Sequence, residues 1–263
     1  MIQRFDEGWD EAKHDRDKSG RFAPRGNGGS SSGTEGKQKK ESLSNETKHS
    51  SRPESATMAA KDSDLSKHMP NISKGAQKAY DKARASEKAI TADLYDVNEA
   101  MGAKMDGLPF SVKTASSVAD KIERKKKDAP WKTDEQIVGE MGDLVRYTSL
   151  GEHNKLVDLT RKTIEELEKK GYTINELDNK YLSDGNYKGI HLQCVSKDGQ
   201  KFEYQIHSKE SLDVKNKLHP MYEEARNVAT PVARVNELNK KMKELSDALP
   251  MPEGIETLKS FVK

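Results

Sequence analysis

The chain has 263 residues, of which 32% are hydrophobic and 34% charged, with 46 Lys+Arg against 44 Asp+Glu for a net charge of +2. Near-neutral charge argues against a bulk electrostatic grip on nucleic acid, although a local basic patch stays open. A single cysteine, Cys194, excludes an intramolecular disulfide and any multi-cysteine metal site, and no apolar run approaches the roughly 20 residues that span a bilayer.

The apolar deficit is concentrated at the start, where only 15 of the first 72 residues are apolar. Such a stretch buries too little surface to offset chain entropy, so residues 1–70 are expected to form a tail and flexible linker without a fold. The Gly- and Ser-rich run over 19–36 and the Lys- and Ser-rich sequence after it support that expectation. The charged N-terminus has no signal-peptide apolar region, so a bacterial cytoplasmic protein is expected.

From Ile72 to Met101, Ala76, Tyr80, Ala83, Ile90 and Leu94 recur at helical spacing. This predicts a helical lead-in over 71–105. Gly107-Leu108-Pro109 ends it, Phe110-Ser111-Val112 reads as a short strand, and 116–127 reads as a helix closing in the basic run 124–127. Thr133 opens another helix with a capping pattern. Leu144–Thr148 is a strand, and 153–170 is a helix with Leu156, Leu159, Ile164 and Leu167 on one face. Strands follow at about 173–181, 188–196 and 201–207, the last two joined by Asp198-Gly199, a strong hairpin signal. Helices over 209–227 and 231–248 complete the series. The order predicts an α+β (mixed α/β) domain over 106–228, with a central mixed β-sheet of about five strands flanked by helices, and a helical extension over 229–263.

The polar residues on these strands carry the chemical information. In Phe202-Glu203-Tyr204-Gln205-Ile206-His207 the apolar residues alternate with a carboxylate, an amide and an imidazole. That polar face is either a solvated exterior or the floor of a polar pocket. Asp143 opens the 144–148 strand, and carboxylates from neighbouring strands are a common way to hold magnesium, which prefers oxygen ligands. Lys113, Ser117 and Lys121 recur every four residues around a helix start, which suits either a polyphosphate or a solvated basic helix. Tyr187 follows the Asp184-Gly185-Asn186 turn, placed either to stack on a base or to pack on the sheet rim.

Taken in order, these segments resemble the synthetase domain of RelA/SpoT enzymes, which move pyrophosphate from ATP to the 3′-hydroxyl of a purine nucleotide. The resemblance runs over about 108–226: Lys113-x-x-x-Ser117-x-x-x-Lys121, Asp143 with nearby Arg146, Tyr187-x-x-Ile190-His191, Glu203-x-Gln205-Ile206-His207, and His219-x-x-Tyr222. It is nearest to divergent phage- and toxin-linked forms. A second, shorter stretch, Trp9–Ala23, resembles one found in bacteriophage structural and head-morphogenesis proteins.

The resemblance implies a nucleotidyltransferase-like fold and a Mg2+ cofactor held by Asp143 and Glu203, with Glu203 alternatively the base for the acceptor hydroxyl. It implies Lys113, Ser117, Lys121 and Arg124 on ATP, Arg146 and Gln205 orienting phosphate or ribose oxygens, and Tyr187, Lys180, His191, His207 and His219 around the acceptor. His207 departs from the family, which usually has arginine there, and the acceptor loop departs as well; both leave the acceptor open. The readings left standing are an alarmone synthetase or toxin-like enzyme, an enzyme acting on the 3′ end of tRNA through the basic run 124–127 and the Lys-rich helix 239–243, and a non-catalytic protein associated with phage heads. The partners these imply are, in turn, an antitoxin, tRNA and a phage structural protein.

Overall fold

The computed structural model describes residues 61–227 and 229–263. The expected tail, including Trp9–Ala23, lies outside them except for its last ten residues. Those ten depart from the expectation of a linker: Leu65 is fully buried, and its N–H donates to the Gln77 side chain at 2.8 Å. The Asp62 carboxylate accepts from the Ser116 N–H at 2.9 Å. Two apolar residues in a polar stretch, Leu65 and the partly buried Met69, anchor the segment together with these hydrogen bonds.

Helix α1 (Lys74–Ala100) is capped by Ser73 and buries Ala76, Tyr80, Ala83, Ile90, Leu94 and Val97, close to the predicted stripe. Strand β1 (Lys104–Asp106) follows. The expected strand at 110–112 is instead a short 3-10 turn, Leu108–Phe110, with one isolated bridge between Val112 and Val145; Pro109 at the head of the turn favours it. Helices α2 (Ala115–Asp128) and α3 (Asp134–Glu140) start at Thr114 and Thr133, the latter in a full capping box with Gln136.

Strand β2 (Arg146–Gly151), helix α4 (Leu156–Lys169), and strands β3 (Thr173–Asn179), β4 (Ile190–Val195) and β5 (Lys201–Ser208) come next. The β4–β5 turn holds Gly199 at φ +80°, as the Asp-Gly signal requires. The Asp198 carboxylate in that turn accepts from Ser86 Oγ of α1 at 2.5 Å. Helices α5 (Lys209–Arg226) and α6 (Val232–Asp247) lead to strand β6 (Phe261–Val262).

Among the described residues the strands form one six-stranded mixed sheet in the order β1-β2-β5-β4-β3-β6. The β2–β5 pair is parallel and every other pair is antiparallel. The sheet therefore has one strand more than expected. β1 and β6 are added at its edges, and the latter belongs to the extension expected to be helical.

The chain's latest long strand, β5, lies in the middle of the sheet, between β2 and β4. Its apolar residues Phe202, Tyr204 and Ile206 are fully buried. Tyr147 and Tyr172 meet the Phe202 ring edge-on, at 6.1 and 5.7 Å. The Asn98 amide of α1 donates to the Tyr204 hydroxyl at 2.8 Å, and the Tyr147 hydroxyl donates to the Glu87 carbonyl at 3.0 Å. α1 thus covers the apolar face of the sheet. The opposite face, with Glu203, Gln205 and His207, is also buried, and it meets α5.

Candidate active site

Glu203, Gln205 and His207 are 4%, 1% and 0% exposed, so this face is not a solvated exterior; of the three, Glu203 lines a cavity. Arg146 is the register partner of Glu203 across the parallel pair, and Gln193 is its partner on β4. Glu203 Oε1 lies 2.9 Å from His191 Nδ1, and Oε2 accepts from the Gln205 amide at 2.8 Å. The Arg146 guanidinium stands 3.7 Å from Oε2. Burial pushes the Glu203 carboxyl up, but His191 and then Arg146 outweigh it and hold the group down at about 2.

Asp143 sits in the turn before β2 and is 7% exposed. Its Oδ1 accepts from Lys121 Nζ at 2.9 Å and its Oδ2 faces Lys113 Nζ at 3.5 Å. Burial opposes ionisation here too; Lys113, Lys121 and Arg146 overcome it and hold the carboxyl far below its ordinary value. The negative charge of Asp143 pushes Glu203 the other way, so the two carboxylates share one electrostatic environment. Gly142 makes room for it, since a Cβ there would come within 2.4 Å of the Gln193 side-chain oxygen.

Both carboxylates line one cavity of about 530 Å³, a size that accepts a nucleotide. Lys121, Lys125, Lys132 and Lys201 line it as well, with Gln193 and Glu140. Lys125 belongs to the basic run 124–127 noted in the sequence, whereas Lys132, Lys201 and Gln193 were not singled out there. Lys201 had a readable signal: it extends the period-two polar alternation of β5 by one step. Lys132 comes from the connection before α3 and Gln193 from β4.

Tyr187, expected either to stack on a base or to pack on the sheet rim, is half-buried; its hydroxyl lies 2.7 Å from His191 Nε2 and 2.6 Å from His207 Nε2. Both imidazoles meet its ring edge-on, and the Lys215 ammonium stands 5.6 Å from the ring centroid. His207 Nδ1 continues the chain to Ser211 Oγ at 2.9 Å. Burial, with Lys215 and His191 adding to it, keeps His207 well below the usual imidazole range and therefore neutral. Gly189 permits this packing, because a Cβ there would approach His207 Cε1 to 2.5 Å.

Lys215, one turn beyond Ser211 on α5, donates to Gln205 Oε1 at 2.8 Å. Burial and then the neighbouring Arg146 pull it down to about 7. It was not anticipated from the sequence, because nothing in a charged helix marks which lysine turns inward.

The remaining expected residues are placed less centrally. Lys113 does not line the cavity; its ammonium is committed to Asp143. Ser117 does not line it either, and its hydroxyl accepts from Thr114 at 3.0 Å. Arg124 is exposed on α2, where Lys125 is the residue that lines the cavity. The Lys180 ammonium pairs with Asp178 at 2.5 Å, although its backbone N–H reaches Gly189 at the mouth of the Tyr187 loop. His219 is 2% exposed on α5, 3.9 Å from Glu223, one turn past Lys215. No helix among the described residues is long and apolar enough to cross a membrane.

No family model matches the sequence, and no curated protein does. Among solved structures the chain is similar to the type VI effector Tas1, crystallised with its immunity protein, at 19% identity and a TM-score of 0.48 over 68% of this chain and 97% of that one. It is similar to small alarmone synthetase 1 from Bacillus subtilis bound to pppGpp, at 12% identity and a TM-score of 0.46, covering 64% and 86% of the two chains. It is also similar to small alarmone synthetase 2 from that organism, at 14% identity and a TM-score of 0.46, covering 65% and 91%.

Proposed function

We propose that the chain transfers pyrophosphate from ATP to the 3′-hydroxyl of a purine nucleotide. The observation that supports this most is that Asp143 and Glu203, both held ionised, face one nucleotide-sized cavity lined by four lysines. In this reading the acceptor oxygen attacks the β-phosphorus, the bond between the α,β-bridging oxygen and the β-phosphorus breaks, AMP leaves, and the acceptor's proton passes to solvent. Such a transfer needs positioning and charge neutralisation more than covalent help.

The donor set suits magnesium. No group of three His, Cys, Asp or Glu among the described residues is disposed to hold a metal by itself. Two ionised carboxylates beside a phosphate site suit an ion that takes one or two protein oxygens and completes its shell with phosphate and water. Asp143 and Glu203 would hold it, and when bound it would offset charge on the transferring phosphate. A carboxyl held at about 2 is a poor proton acceptor near neutrality, so Glu203 serves here as an anionic ligand rather than a base. Lys121, Lys125 and Lys201 bind phosphate oxygens, Lys113 holds Asp143 in place, and Arg146 and Gln205 fix Glu203. Tyr187, His191 and His207 form the wall on the acceptor side. As a toxin-like enzyme in a bacterial cytoplasm, the protein would be paired with an inhibitory antitoxin.

The test is incubation of the purified protein with labelled ATP, magnesium and, separately, GTP, GDP, ADP, AMP and tRNA. AMP release with a 3′-pyrophosphorylated product, lost in Asp143→Asn and Glu203→Gln, is the expected result. The absence of AMP release with every acceptor would overturn the reading.

A further inference from the structure

Trp131 is 76% exposed, and none of the interactions described so far uses it. It stands in the connection 129–133 between α2 and α3. Ala129 and Lys132, on either side of Pro130-Trp131, both line the cavity, so Trp131 stands in a connection that borders it.

The connection is braced from several directions. Lys126 of α2 pairs with Asp134 of α3, the Lys132 N–H donates to the Ala129 carbonyl at 3.1 Å, and Lys132 Nζ reaches Glu140 at 2.6 Å. Pro130 restricts the backbone just before the tryptophan. An indole in water forgoes a large apolar burial, and here it does so on a braced connection beside a cavity lined by four lysines and five carboxylates. Lysines along a cavity and a flat aromatic in the connection beside it match the two parts of a nucleotide, its phosphates and its base.

We propose that Trp131 stacks on the adenine of ATP while Lys121, Lys125, Lys132 and Lys201 hold its phosphates. The inference rests on the proposed function and adds the element that recognises the donor base, which neither the motif resemblance nor the carboxylate site supplies.

The chain has two tryptophans, so Trp9→Phe leaves Trp131 as its only one. In that variant ATP is expected to quench the indole fluorescence, whereas inorganic tripolyphosphate displaces ATP without quenching. Trp131→Ala is expected to raise the Kd for ATP by about 5- to 150-fold, the range that 1–3 kcal/mol of stacking converts to. Trp131→Phe should retain most of the affinity, and the Kd for tripolyphosphate should be unchanged in both. Circular dichroism checks that the variants fold, which an exposed position favours. If labelled ATP binds in equilibrium dialysis but quenches no more than tripolyphosphate, and Trp131→Ala binds it as the wild type does, the inference is overturned while the proposed function stands. If labelled ATP does not bind at all, both fall.

Discussion

Arg146 and Glu203 are register partners on the parallel pair at the centre of the sheet, and the guanidinium lies 3.7 Å from the carboxylate. With both residues at most 4% exposed, a buried anion is held ionised by groups fixed on three strands. His191 on β4 and Gln205 on β5 occupy its oxygens directly.

This has a consequence for acid stability. The Glu203 carboxyl titrates at 4.5 when unfolded and at about 2 when folded. A depressed value stabilises the fold above pH 4.5, and that stability is lost as pH falls from there towards 2. The contribution is roughly 3 kcal/mol at neutral pH. Denaturant unfolding between pH 7 and 3 should show wild type losing stability more steeply below pH 5 than Glu203→Gln. Parallel pH curves for the two proteins would contradict this.

Lys215 gives the opposite slope. Its folded value of about 7 lies below the ordinary 10.5, so between those values the unfolded chain binds more protons and folding becomes more favourable as pH rises. Stability measured from pH 7 to 10 should climb in wild type and climb less in Lys215→Met. A Lys215→Met variant with the wild-type slope would place the ammonium in water.

Tyr187→Phe keeps the ring and removes the hydroxyl between His191 and His207. Two imidazole nitrogens then lose their partner, at a cost of about 1–3 kcal/mol. The free energy of unfolding from denaturant titration should fall by that amount. Because the ring remains, Tyr187→Phe should keep more acceptor affinity than Tyr187→Ala. Equal stability in wild type and Tyr187→Phe would show that the three-residue chain is not holding the wall.

Leu65→Ala tests whether the segment before α1 belongs to the domain. A fully buried leucine truncated to alanine typically costs 2–5 kcal/mol, and calorimetry should show a Tm lowered by several degrees. An unchanged Tm would mean that residues 61–70 dock without contributing.

Much of the fold was legible because its elements carry strong periodicity. The α1 stripe from Ala76 to Leu94, the Asp198-Gly199 turn and the alternation from Phe202 to His207 each followed local rules. The edge strands did not. β1 and β6 have three and two residues, too few for any period, and they exist only because β2 and β3 offer open hydrogen-bonding edges. At the site, the residue types at Asp143, Glu203, Gln205 and His191 could be read, and the structure brings them together. What each lysine binds could not be read. Lys113 and Lys121 sit at the expected spacing, yet Lys113 is spent on Asp143, and Lys215 arrives from a helix whose inward face is set by packing alone.

The position of β5 also sets when the protein can come into being. During synthesis β2 and β4 emerge first, and neither has its central neighbour until residue 201 and beyond leave the ribosome. Until then Asp143 has no Glu203 beside it, and two sheet edges stand open to unwanted pairing. A nascent chain stalled before β5 therefore lacks one of the two site carboxylates and leaves open edges that favour aggregation. The proposed pairing of Asp143 with Glu203 thus waits for β5 to leave the ribosome.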